Sequence, residues 1–235
     1  MFKKSGQKES HEPQGLAAPH RKSVIRDYFE TIVICVIFVL FSRAFVFQQS
    51  KIPTGSMEDT LLIGDYIMVN RFIYSPSSLD IEKKILPLRE VKRQDVIVFK
   101  FPEEPEFDYI KRVIGLPNDM VEVRGGVAYV NGEKLDEPYV LEKYRDPHSY
   151  FPPTKVPEDS YFVLGDHRNN SRDSRYFGFV PANFIKGRAF MIWWSYEEDR
   201  NDYEKRGIDR LKSMASKLFH LFTKSRWSRC FTIIS

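Results

Sequence analysis

"MVEVRGGVAYVNGEKL", residues 120–135, sets the fold class. Valine, tyrosine and methionine, residues that favour strands, run on both sides of Gly125-Gly126, and Asn131-Gly132 follows. Such pairs supply the positive φ angles that tight hairpin turns require. The stretch therefore predicts an antiparallel hairpin followed by another turn. Outward from it, "DYIMVNRFIY" (65–74), "DVIVFKF" (95–101), "DYIKRVIGL" (108–116), "SYFVLGD" (160–166) and "RAFMIWW" (188–194) are short β-branched and aromatic runs. Prolines 102, 105, 138, 147, 152, 153 and 157 punctuate the connections. Strands and helices do not alternate, which excludes a parallel α/β sheet. There is no internal repeat. The expectation is a mainly β, antiparallel domain.

The chain has 235 residues, enough for one medium domain or two small ones with a real core. A net charge of +4 is mild, and no nucleic-acid partner is expected. The two cysteines, Cys35 and Cys230, leave the middle of the chain without a thiol nucleophile or a thiolate metal site. The five histidines are scattered and no H-E-x-x-H spacing exists, so neither metal nor cofactor is expected.

Residues 1–27 are polar and read as a flexible tail. Residues 28–47, "YFETIVICVIFVLFSRAFVF", are almost wholly apolar, with Glu30 and Arg43 near the edges. About 20 such residues span a bilayer as a helix. The segment has no polar face, which disfavours a core helix, and its long leading tail disfavours a cleaved leader. Arg21, Lys22 and Arg26 precede it closely and Lys51 alone follows closely, placing the N-terminus in the cytoplasm and residues 48–198 outside. Residues 199–235 are basic. Within 203–231, Leu211, Met214, Ala215, Leu218, Leu221 and Phe222 recur at helical spacing, which fits a helix on an anionic phospholipid surface or one packed on the domain.

Three stretches carry possible chemistry. In "KIPTGSMEDTLLIGDYIMVN" (51–70), Ser56 has no histidine within thirty residues on either side. It is either a turn serine or a nucleophile with some other base, since a hydroxyl needs its proton removed to attack. In "DYIKRVIGLPND" (108–119), the pleat sends Lys111 and Arg112 to opposite faces. A buried Lys111 would lose its charge and serve as a base; an edge lysine would stay in water. In "YFVLGDHRNNSRDSRYFGFVP" (161–181), Asp166, Arg168, Arg172, Asp173 and Arg175 crowd together, bracketed by Gly165 and Gly178. Charges of both signs at that density imply a loop held by ion pairs.

Together these stretches resemble the bacterial type I signal peptidases (leader peptidases). "PTGSMEDTL", "GDYIMVNRF", "YIKRVIGLPND" and "GDHRNNSRDSR" are similar to four boxes of that family, in the family's order, behind one anchor. The resemblance covers roughly residues 30 to 195. It implies a coiled, barrel-like antiparallel catalytic domain of the signal-peptidase/LexA type and a Ser–Lys dyad that cuts signal peptides from exported preproteins after small residues. By the resemblance, Ser56 is the nucleophile and Lys111 the general base. Thr54 and the Ser56 N–H form the oxyanion hole, and Ser171 orients the lysine. Arg112, Asp166, Arg168, Asp173 and Arg175 support the geometry. Met57, Tyr109 and Ile110, beside the dyad, are the pocket candidates. His167 and Asn169 depart from the Asn and Asp of many members, as do "EDT" from "EPT" and "PND" from "PGD". The rival readings are a specialised Ser–Lys processing peptidase of pilin or conjugation type, a Ser56–His167 catalytic pair, and an inactive membrane-anchored scaffold.

Overall fold

Val96, Val98 and their alternate neighbours Ile97 and Phe99 are all buried, so this strand has no solvent face. That places it at the centre of the molecule, and the sheet is built around it. In the computed structural model the described residues are 24–41, 47–71, 73–74, 89–198 and 220–234. The strands are β1 (Phe47–Lys51), β2 (Asp65–Asn70), β3 (Val96–Lys100), β4 (Asp108–Gly115), β5 (Met120–Arg124), β6 (Val127–Val130), β7 (Glu133–Lys134), β8 (Tyr150–Lys155), β9 (Ser160–Leu164), β10 (Val180–Pro181), β11 (Ile185–Ser195) and β12 (Thr232–Ile233). The larger sheet runs β1-β2-β11-β3-β4-β9-β10, with β12 on β11; the smaller runs β7-β6-β5-β8. The pairings among these strands are antiparallel, as the sequence predicts.

The pleat of β3 divides the core. Val96 and Val98 join Ile52, Met57, Leu61, Ile67, Val69, Ala189 and Ile192 in one cluster. Ile97 and Phe99 join Val113, Val163 and Val180 in another. A third cluster, with Ile114, Phe162 and Leu164 from the larger sheet and Val121, Val123 and Ala128 from the smaller, joins the two sheets. The hairpin forms where Gly125-Gly126 and Asn131-Gly132 predict it: Gly125 has φ +56°, Gly126 +74° and Asn131 +54°. At Gly126 a side chain would also strike the Asp146 backbone nitrogen at 2.8 Å.

Helix α1 covers Val24–Phe41 and belongs to a unit separate from the β-rich body. Among the described residues no helix is long and apolar enough to cross a membrane. The expected span 28–47 runs through residues 42–46, which lie outside the described residues, and its last residue opens β1 instead. The tail expected over 1–27 lies outside them up to residue 23.

Of the helix expected over 203–231, only residues 220–231 are among the described residues. Its end does not continue as an amphipathic helix. A one-turn helix α2 (Leu221–Lys224) and a 3-10 turn (Trp227–Arg229) lead into β12, which pairs Met191 with Ile233 and Ile192 with Thr232. Ile234 is buried in the β3 cluster, and Arg229 donates to Asp65 Oδ2 at 2.7 Å. Asp65, fully buried, also accepts from Leu62 N–H at 2.8 Å and from Ser195 Oγ at 2.6 Å, so Arg229 adds a cation to a carboxylate the strand region already holds. Residues 199–219 lie outside the described set. Ile234→Ala is therefore expected to cost about 2–4 kcal/mol in urea unfolding, as for a core isoleucine. A free membrane-surface helix would show no change.

Candidate active site

The loop between β1 and β2 is tied at its base by Ile52 N–H to Asp65 O, 2.9 Å, and Gly64 N–H to Ile52 O, 3.1 Å. Above that base the chain turns tightly. Glu58 N–H donates to Gly55 O at 3.1 Å and Leu61 N–H to Met57 O at 2.7 Å. The turn sends Met57 and Leu61 into the core, both fully buried. Ser56 is left at its rim.

Opposite stands β4. Lys111 is 3% exposed, and its Nζ donates to Ser56 Oγ at 2.7 Å and to Ile110 O at 2.9 Å. Burial pushes the amine down from its ordinary value near 10.5 to about 8; the carboxylates of Asp173 and Asp166 pull it partly back. About a tenth of the amine is then neutral at pH 7, against less than about a thousandth for an ordinary lysine, which is the form a base needs. Arg112, next along the pleat, goes elsewhere. Its Nε and Nη2 grip Asp166 at 2.9 and 2.8 Å, its Nη1 reaches Gln94 O at 2.9 Å, and the guanidinium lies 3.8 Å from the Tyr139 ring centre.

The third stretch forms the frame. Thr60 in the Ser56 turn donates to Asp166 Oδ2 at 2.6 Å, tying that turn to the Arg112 pair. Arg168 pairs with Glu137 and donates to Gly126 O at 2.7 Å, linking the site to the small sheet's hairpin. The short helix Ser174–Phe177 lies here and is capped by Asp173. Asp173 also accepts from Gly165 N–H at 3.0 Å and holds Arg175 by two bonds of 2.8 and 2.9 Å. Gly165 has no room for a side chain: a Cβ there would lie 2.2 Å from Ser171 Oγ and 2.5 Å from Ser56 O.

The structure brings Ser56, Lys111, Asp166, Arg168, Ser171 and Asp173 together in the buried interior. Thr54, Tyr109 and Ile110 line a cavity of about 290 Å³ with Ser56 and Lys111. Two expectations change, and one rival reading falls. Met57 is not in that cavity but in the core, because the turn points it inward. The bond from Ser171 to Lys111 is not formed; Lys111 donates to Ser56 and Ile110, and Ser171 Oγ is buried without a partner. His167 does not hold the Ser56 hydroxyl; its ring nitrogen Nδ1 faces Gly55 O and Glu58. Sequence reasoning missed Glu137, Thr60, Asn170 and the wall residues Pro53 and Asp108. Glu137 sits in a polar stretch 31 residues from Arg168, with no local pattern to mark it.

A serine hydroxyl bonded to a buried amine beside a cavity is an arrangement suited to a serine hydrolase. Residues 25–194 match the family model described as signal peptidase, peptidase S26, and this chain belongs to that family of serine endopeptidases. It is 32% identical to the signal peptidase I of Pseudomonas aeruginosa over 83% of this chain and 81% of the relative. The probable signal peptidase I-2 of Synechocystis sp. is 40% identical over 70% and 71%. The signal peptidase I P of Bacillus subtilis subsp. natto is 36% identical over 77% and 95%.

Asp166→Asn removes the carboxylate that the buried Arg112 guanidinium grips with two bonds and is expected to cost about 3–5 kcal/mol in urea unfolding. It also removes a negative charge that raises the Lys111 pKa, so a pH–rate limb set by Lys111, expected near 8, is expected to move to lower pH. A limb that stays or moves upward would show that Asp166 does not act on Lys111.

Proposed function

We propose that this chain removes N-terminal signal peptides from exported preproteins by acyl transfer on Ser56 and Lys111. The observation that supports it most is the 2.7 Å bond from Lys111 Nζ to Ser56 Oγ in a setting with 3% exposure at the amine. Uncharged Lys111 takes the Ser56 proton as Oγ attacks the scissile carbonyl. The Thr54 hydroxyl and the Ser56 N–H receive the oxyanion, and one such donor is worth about 3–4 kcal/mol in the barrier. As the intermediate collapses, Lys111 protonates the leaving amine. It then takes a proton from water, which attacks the Ser56 ester, and returns that proton to Ser56 Oγ as the signal peptide leaves with its new C-terminus. Tyr109 and Ile110 border the cavity where small residues at −1 and −3 would seat.

In this reading residues 28–47 anchor the chain in the cytoplasmic membrane, in contact with phospholipid, with the N-terminus inside and the 48–198 domain on the outer face. Support comes from α1, whose Tyr28, Phe29, Ile34, Ile37 and Phe38 are all exposed, and from the basic residues Arg21, Lys22 and Arg26 before the apolar run. A translocated signal peptide ends at that face, so anchor and dyad would meet the same substrate.

The test is a preprotein cleavage assay. Ser56→Ala and Lys111→Ala are each expected to lower kcat at least about 10³-fold, and the double variant no further, because the two act as a unit. Wild-type rates in either single variant would reject the dyad.

A further inference from the structure

His167 contacts both carbonyls that flank the proposed nucleophile, those of Gly55 and Ser56. Its backbone N–H donates to Ser56 O at 3.2 Å. Its ring Nδ1 lies 3.1 Å from Gly55 O and 3.1 Å from Glu58 Oε2. The ring packs against Tyr144, centroid to centroid 4.0 Å, with 13% of the side chain exposed. It stands behind the turn, since Gly55 and Ser56 line the cavity and His167 does not. A carbonyl and a carboxylate both accept, so Nδ1 carries the proton and donates.

The Gly55 carbonyl and the Ser56 N–H belong to one planar trans peptide and point in opposite directions. Holding the carbonyl behind the turn therefore aims the N–H forward. Glu58 N–H donates to the same carbonyl at 3.1 Å, but it sits within the turn and moves with it. His167 comes from a different loop, one fixed by the Arg168–Glu137 and Asp173–Arg175 pairs. It is thus an external reference for the orientation of that peptide.

We propose that His167 is a positioning residue for acyl transfer: its Nδ1–H locks the Gly55–Ser56 peptide so that the Ser56 N–H faces the developing oxyanion. This rests on the Ser–Lys reading, in which that N–H is an oxyanion donor. His167 is not the base, because Lys111 already holds the Ser56 hydroxyl.

Two substitutions separate the donor from the ring. In His167→Asn the amide nitrogen lies as many bonds from the backbone as Nδ1 and keeps a donor. In His167→Phe the ring still packs on Tyr144 and the backbone N–H remains, but the donor is gone. With a signal-peptide substrate, His167→Phe is expected to lower kcat about 10–100-fold, below the 10²–10³ seen on deleting an oxyanion donor outright. KM changes less than about twofold, and the pH–rate limb near 8 set by Lys111 does not move. His167→Asn stays within about threefold of wild type, and His167→Asp, of the same shape without the donor, shares the loss. An undiminished kcat in His167→Phe, a loss confined to KM, or a shifted pH limb overturns the proposal; the last would mean that the variant had merely let water reach Lys111. Ser56→Ala runs beside them. Cleavage that survives Ser56→Ala removes the Ser–Lys reading and this inference with it, whereas Ser56-dependent cleavage with His167→Phe intact removes this inference alone.

Discussion

Everything in the body of this protein is arranged around an amine kept out of water. Lys111 Nζ bonds the Ser56 hydroxyl inside the fold, and the shelter that would let it act as a base also costs stability. An amine that titrates near 8 when folded and near 10.5 when not destabilises the fold by about 3 kcal/mol at neutral pH. The sign follows from proton binding: between those values the unfolded chain binds more protons, so stability from this group rises with pH through that window and the full penalty holds below 8. Activity and this stability contribution therefore increase in the same direction.

That cost is offset by the scaffold rather than at the site. β4 is paired on both edges, with β3 and β9, and the loop carrying Ser56 closes over it from the core side. The pairs Arg112–Asp166, Arg168–Glu137 and Asp173–Arg175 are buried, and buried pairs contribute little net stability relative to apolar packing. What they contribute is geometry. Two planar groups joined by paired hydrogen bonds permit one mutual orientation. Through Thr60 and Gly126 these pairs connect the nucleophile turn, the lysine strand and the small-sheet hairpin into one frame. Asp166 also carries charge close enough to raise the Lys111 pKa, so the frame sets how basic the amine is as well as where it sits.

The strands that sequence made legible are those whose signal is local. The 120–135 hairpin follows from two turn dipeptides, and the divergence of Lys111 from Arg112 follows from the pleat. Strand β8 was hidden because "YFPPTK" holds two prolines; it pairs only with β5, at the sheet edge, where prolines are tolerated. Met57 illustrates a different limit. Its neighbourhood in sequence is the active site, but a tight turn separates adjacent side chains by direction, so Ser56 meets the cavity and Met57 the core. Glu137 and Arg229 answer charges far along the chain, Arg168 and Asp65, and no spacing rule links partners of that separation. The C-terminal residues were the plainest case: helical periodicity in a basic segment carried no hint that Ile234 would complete a core cluster.

The same distinction between local and long-range information bears on how the nucleophile is held. A turn of five or six residues can fix its own shape through internal bonds such as Glu58 N–H to Gly55 O, yet remain free to rock as a unit. Rocking by even an ångström would break a 2.7 Å bond to a lysine on a rigid strand. The turn is instead pinned from separate elements: by Thr60 to Asp166, by Arg229 of the C-terminal segment to Thr60 O at 2.9 Å, and by the backbone of His167 to Ser56 O. Gly165 lets the last of these approach, since any side chain there would occupy the space of the Ser56 carbonyl. Precision at Ser56 is thus a property of distant sequence segments converging on one turn, and the chain's closing residues belong to that convergence as fully as the residues beside the dyad.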